Sequence, residues 1–483
     1  MSAHAFNHQQ RHAFTSFHGR VPEGLVVSDR RGMLKASVAG LAGLSLPALL
    51  RTRAEASAVG SPRKRKSVIL LWMAGGPSHI DMWDPKPERP YENRGPFGVI
   101  PTRLPGVFFC EHMPKQAAMM DRVTLIRSVN ARGSNHEPNK VFQTGNTAAA
   151  PRVNPKGEFY PAIASLVSKL RGANHPAMPP YTAFMKGRSH IARGGYLGEQ
   201  YDPFVANQAA RLPVYTNVGV DTGKVSGAPL FNLPAGLTHE RIRKRQTLLA
   251  DFDRIRQSLD LKGSMEAFDT YHQQAADILL GQRARDALDL SQESDRVRER
   301  YGDHLWCQQT LLARRLVEAG VSFVTLDLSY HGSSGTWDTH GDNIPPYGGI
   351  RSGLTPLLPI FDRLFTTLVT DLEERDLLDE VLVIAMGEFG RTPKIGTQDS
   401  TDGRNHWPIV MSMLLAGGGL RHGQVIGATE HDGGDIKHRP VTPGDLAATI
   451  YRHMDVPIDA TYLDHRGRPH PIVENGTPLT ELF

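Results

Sequence analysis

Four short stretches of this chain carry carboxylates, imidazoles and guanidinium groups at spacings that could hold a cation. The first is Gly75-Gly76-Pro77-Ser78-His79-Ile80-Asp81 and the second Trp337-Asp338-Thr339-His340. The third is Gly387-Glu388-Phe389-Gly390-Arg391 and the fourth Gly403-Arg404-Asn405-His406-Trp407. Hard divalent cations take carboxylate oxygens; zinc and manganese accept imidazole nitrogen too. Asp338 and His340 stand two apart, so in an extended segment both face one way and can grip one ion. Glu388 and His406 would complete that shell, with Asp81 or His79 on a second ion. Such ions polarise a phosphoryl or sulfuryl oxygen and activate a nucleophile. Each motif alone also has a plainer reading. A D-x-H pair forms hydrogen-bonded loops, Glu388 could pair only with Arg391, and His406 could only pack on Trp407.

The apolar runs that must position these stretches favour a shared site. Residues 67–73 (S-V-I-L-L-W-M) are continuously apolar and end at Gly75-Gly76-Pro77, the pattern of a buried strand entering a loop. Runs at 122–127, 321–328, 381–386 and 411–416 predict four more strands. A helix over 304–319 stops at Gly320. Leu357, Phe361, Leu364, Phe365, Leu368 and Leu372 form the apolar stripe of another helix. Residues 443–454 predict a short helix opening at Pro443, and 236–300 a long, charged helical insertion or cap. Strands alternating with helices predict an α/β fold, a three-layer sandwich with a mainly parallel central sheet. Ligands of such sheets bind beyond the carboxyl ends of the strands. The first three stretches follow predicted strands, and the fourth lies shortly before the fifth strand.

The longer motifs carry a family resemblance. They read G-G-P-S-H-I-D-M-W-D-P-K-P (75–87), L-L-A-R-R-L-V-E-A-G-V-S-F-V-T (311–325), W-D-T-H (337–340) and M-G-E-F-G-R-T-P-K-I (386–395). G-R-N-H-W-P (403–408), L-L-A-G-G-G (414–419), A-A-T-I-Y (447–451) and E-L-F (481–483) follow. The chain resembles the family called domain of unknown function 1501, itself similar to the alkaline phosphatase and sulfatase superfamily. The resemblance implies an alkaline phosphatase-like fold and one or two divalent ions, with zinc, manganese and calcium as candidates. Asp81, Asp338, His340, Glu388 and His406 would hold them, with His79 and His136 as ligands or proton carriers. Arg391 and Arg404 would neutralise a small anionic ester, a phosphate or sulfate, with sulfated glycans among the candidate substrates.

The chain also departs from the superfamily. Phe389 stands where a metal histidine is expected. The superfamily's nucleophile opens a helix ending in a T-G pair. Here Thr144-Gly145 marks that end, and counting back reaches Asn135 and His136, with Ser134 the nearest hydroxyl. No C-x-P-x-R occurs around Cys110 or Cys307, which closes the formylglycine route of ordinary sulfatases. These departures keep a rival in view: a non-catalytic binding or assembly protein on the same fold.

The N-terminus predicts export. Residues 28–35 read S-D-R-R-G-M-L-K, close to a twin-arginine pattern. A mild apolar run over 36–50 and an A-x-A site at Ala54-Glu55-Ala56 follow. That makes 1–56 a signal peptide, 57–66 a basic linker and 67–483 the folded domain. The apolar run is too short to span a bilayer. The expected location is periplasmic or otherwise extracytoplasmic, with the twin-arginine translocase as the partner during export. The formal charge is +5, but 1–56 hold seven basic and three acidic residues, so the exported part is near +1. No nucleic-acid surface is expected from so small an excess. Replacing Arg30 and Arg31 by lysine is expected to retain most precursor in the cytoplasm. Fractionation of expressing cells checks this, and undiminished export of the double variant would remove the twin-arginine reading.

Overall fold

The computed structural model describes residues 65–134, 140–150, 154–185, 190–208, 210, 212–214, 224–226, 282–329, 336–341, 348–396 and 399–483. The leader lies outside the described residues, as do positions 236–281 of the expected helical insertion. The described part of that insertion is helical, with short helices at Gln282–Ala287 and Asp295–Tyr301.

Eight strands make the central sheet. They are Ser67–Trp72 (β1), Val123–Asn130 (β2), Tyr181–Phe184 (β3), Phe204–Val205 (β4), Phe323–Asp327 (β5), Val381–Met386 (β6), Val410–Gly417 (β7) and Gln424–Ile426 (β8). Their order across the sheet is β8-β2-β7-β6-β1-β5-β3-β4. β7 runs antiparallel to both of its neighbours, β6 and β2. The other five pairings are parallel, so the sheet is mixed but mostly parallel. All five expected strands are present. The three unexpected ones, β3, β4 and β8, have only four, two and three residues, too few for a periodic pattern.

Helices cover both faces, which is why β1 and β6 are buried at every position. Side chains of a strand alternate between faces. Val68, Leu70 and Trp72 join the core under Ile163–Leu170 (α1) and Pro443–His453 (α4). Ile69, Leu71 and Met73 join the core under Leu305–Ala319 (α2) and Arg351–Glu374 (α3). α2 ends on Gly320, whose left-handed φ of 116° lets its N–H reach the carbonyls of Leu316 and Val317. α4 opens on a capping box between Thr442 and Asp445, with Pro443 in its first turn. Both cysteines are free and buried, and burial pushes each thiol up to about 12, so neither is a nucleophile at neutral pH. No helix among the described residues is long and apolar enough to cross a membrane.

α4 is tied to the sheet at its last residue, where His453 Nε2 lies 3.0 Å from the Ser67 carbonyl at the start of β1. Burial pulls this imidazole down to about 4 from its ordinary 6.5. The unfolded chain therefore takes up this proton first, and stability falls as pH drops from about 6.5 towards 4. The full effect is about 3 kcal/mol at 1.36 kcal/mol per pH unit. His453→Gln is expected to flatten the melting temperature across that window. An unchanged pH slope in the variant would show that other groups carry it.

Candidate metal centre

The loop after β1 turns at Gly75 and Gly76, which carry φ values of 121° and 77°. The turn is crowded by its neighbours. A Cβ on Gly75 would sit 2.5 Å from the Asp338 nitrogen, and one on Gly76 2.6 Å from the Phe389 ring. The loop after β5 is held there by a backbone bond: Trp337 N–H donates to the Ala74 carbonyl at 3.1 Å. The loop after β6 is held by its side chain, since Gly75 N–H donates to Glu388 Oε1 at 2.8 Å.

The fourth stretch reaches the same place because β7 is antiparallel. Residues that precede β7 lie at the edge where the parallel strands end. Gly390–Arg391 and His406–Trp407 form a two-residue antiparallel ladder in which Arg391 is paired with His406. Arg404 N–H donates to the Thr339 carbonyl at 2.8 Å, and a Cβ on Gly403 would sit 2.1 Å from the His340 carbonyl.

Three of the expected ligands converge. Asp338, His340 and His406 each offer an atom such that all lie within 4.8 Å of one another. His340 Nδ1 is 2.5 Å from Asp338 Oδ1, and His406 Nε2 is 3.6 Å from Asp338 Oδ2. Two atoms on a tetrahedral ion with bonds of about 2.1 Å are separated by roughly 3.4 Å. The His406 spacing matches that value, and His340 would exchange its hydrogen bond to Asp338 for a bond to the ion. Asp338 is fully buried, while His340 and His406 keep 13% and 29% of their side chains exposed, so the group opens to one side. The rings of His340 and His406 meet edge to face at 4.2 Å, and Phe389 packs on His406 at 4.9 Å.

The other expected site residues are placed differently. Asp81 is held by Arg404, with Nε on Oδ2 at 2.8 Å and Nη2 on Oδ1 at 3.2 Å, and by the Ser78 hydroxyl at 2.5 Å. Removing one partner of such a buried pair costs about 3–5 kcal/mol. Arg404 also donates to the carbonyls of Thr392, Pro393 and Asn93. Arg391 is fully buried too, donating to Gly75 O, Gly76 O and Arg404 O and lying 2.8 Å from Asp338 Oδ1. Both guanidinium groups thus bind protein acceptors rather than open space. His79 is buried 2.8 Å from the Gly433 carbonyl, and burial lowers its pKa, so it stays neutral. Glu388 is buried against the Gly75 amide. Ser134 is buried in the turn after β2, and Gly145 ends the short helix Val141–Thr144 with φ 68°. His136 lies outside the described residues.

One polar cluster at this edge was not expected from the sequence. Asp327, the last residue of β5, accepts from the Ser329 hydroxyl at 2.6 Å and lies 2.8 Å from His190 Nδ1. All three are buried. A carboxylate closing an apolar strand was the available signal for Asp327. His190 follows β3, a strand too short to be read.

A family model described as "Protein of unknown function (DUF1501)" matches residues 65–483. No curated protein matches the sequence. Among solved structures, the PsFucS1 sulfatase from Pseudoalteromonas sp. shares 13% identity at a TM-score of 0.36, over 83% of this chain and 70% of that one. The phosphonate monoester hydrolase SpPMH from Silicibacter pomeroyi shares 12% identity at a TM-score of 0.37, over 86% and 76%. The protein titled Ps i-CgsB shares 11% at 0.38, over 82% and 73%. Likeness at this level carries no activity, substrate or cofactor over to this chain.

Gly75 is the glycine that presses its backbone against Asp338. Gly75→Ala would place a side chain in left-handed backbone and against Asp338. It is expected to cost at least about 1–3 kcal/mol. A urea midpoint unchanged from the wild type would mean that the loop relaxes freely.

Proposed function

The chain belongs to the family described as protein of unknown function DUF1501, and for this member we propose a metal-dependent hydrolase-like site acting on a phosphate or sulfate ester. One observation carries the reading: Asp338, His340 and His406 bring a carboxylate and two imidazoles within 4.8 Å of one another at the carboxyl edge of the sheet. Three protein ligands with an open side are the pattern of catalytic metal sites. Two nitrogens in the set favour zinc or manganese over calcium, which takes oxygen ligands. A divalent ion here supplies Lewis acidity towards a phosphoryl or sulfuryl oxygen and lowers the pKa of water.

The chain's own residues divide the work. Arg391 orients Asp338 through Oδ1, which leaves Oδ2 turned towards His406. Phe389 fixes the His406 ring by packing. Ser134 is the candidate hydroxyl nucleophile and His136 the candidate proton carrier. The twin-arginine leader puts this activity outside the cytoplasm, and the translocase exports chains already folded around their ion. A second reading, a binding or assembly protein without turnover, is favoured by one observation. Both arginines are matched by aspartates and held by carbonyls, so their donors are already engaged within the protein.

Metal content of the purified protein, measured beside Asp338→Ala and His406→Ala, tests the proposal. Bound zinc or manganese in the wild type and about tenfold or greater weakening in each variant are expected. A metal-free wild type ends it. Turnover of aryl phosphate, phosphodiester or sulfate esters that disappears in His406→Ala selects the hydrolase; metal binding without turnover selects the binding protein.

A further inference from the structure

We infer that this centre holds one divalent ion rather than two, because Arg404 already supplies the positive charge at Asp81 that a second ion would supply. The inference rests on the metal reading above and extends it to the number of ions. Asp81 and Asp338 are both buried aspartates, but their surroundings differ.

Both oxygens of Asp81 are engaged by the same guanidinium group, Oδ1 at 3.2 Å and Oδ2 at 2.8 Å. The Ser78 hydroxyl adds a further donor to Oδ2. Arg404 has little freedom to move aside, since three carbonyls fix its Nη1 and Nη2 atoms. Both residues are buried, Asp81 at 3% exposure and Arg404 at 0%. Backbone also closes over the carboxylate. Gly95, at φ 84°, approaches so closely that a Cβ there would sit 2.3 Å from Asp81 Oδ1 and 3.2 Å from Arg404 Nη2. The carboxylate is therefore capped by a glycine turn on one side and a cation on another. A divalent ion added at this place would face the guanidinium across a few ångströms of protein, where like charges repel strongly. Moving Arg404 away to admit the ion would break its bonds to three buried carbonyls.

Asp338 is arranged to share. Arg391 takes Oδ1 at 2.8 Å through a single nitrogen, and its other nitrogens are tied to Gly75 and Gly76. Oδ2 is turned to His406 Nε2 at 3.6 Å, on the side where His406 is partly exposed. An arginine and an ion can thus divide this carboxylate between its two oxygens. The two arginines play different parts. Arg404 fills a cation's place, and Arg391 is a positioning residue for a ligand.

Elemental analysis and zinc titration of the purified full chain test the stoichiometry. One ion per chain is expected in the wild type. In the double variant Asp81→Asn with Arg404→Gln, which removes both charges together, the expected result is still one ion per chain, with affinity within about threefold, a change under about 1 kcal/mol. A melting curve confirms that the variant is folded. Should it not fold, the wild-type stoichiometry and an Arg391→Lys variant carry the test. Arg391→Lys is expected to weaken zinc about tenfold or more while leaving the count at one. Two ions per wild-type chain would overturn the inference and leave the hydrolase reading standing. Loss of the ion in the folded Asp81→Asn, Arg404→Gln variant would make Asp81 a ligand and overturn it as well. No ion at all would remove both.

Discussion

The buried guanidinium group of Arg391 joins the loops of this centre. It donates to Gly75 and Gly76 after β1, lies against Asp338 after β5, and donates to the Arg404 carbonyl before β7. Arg391 itself belongs to the loop after β6. One side chain thus ties together four chain segments that lie far apart in sequence. A fixed, planar set of donors suits that position better than a lysine, which offers a single mobile point charge. Burying such a group is unfavourable unless every donor is matched, and the matching acceptors here are carbonyls and one carboxylate. The same demand explains the glycines. Carbonyls of Gly75 and Gly76 reach the guanidinium group because their backbone adopts left-handed conformations beside Asp338 and Phe389.

The sheet provides the edge on which this node stands. Strands β1, β5 and β6 are parallel neighbours, so the segments following them emerge side by side. β7 reverses direction beside β6, and that reversal brings the segment before it to the same edge. A fully parallel sheet would place His406 at the opposite end, away from Asp338. Two helical layers bury both faces and leave the strand ends as the place where polar residues can gather. Asp327 with His190 and Ser329 gathers there too.

Fold and candidate site differ in how far they can be read from the chain. Long apolar runs, a helix stopped by Gly320 and a helix opened at Pro443 are local patterns, and they describe the five longer strands and the helices α2 to α4 well. β3, β4 and β8 are short enough that pairing, rather than composition, makes them strands. For the site, residue type and position after a strand pointed to the groups whose side chains could do chemistry or order a ligand. Residue type alone could not distinguish Asp81 from Asp338. Each is an aspartate near the end of an apolar run and close to a histidine.

What the sequence determined by itself was therefore the architecture and the edge: which runs are buried, that strands alternate with helices, and that carboxylates and imidazoles follow the strand ends. Tertiary structure decided which of those groups meet. Arg404 reaches Asp81 across 323 residues of sequence and occupies both of its oxygens, whereas Arg391 takes one oxygen of Asp338 and leaves the other turned to His406. The physical reason is that a buried charge is set by its partner, and the partners here come from loops joined only when the sheet has formed. Hydrophobic patterning is written along the chain, but pairing between charges is a property of distance in space.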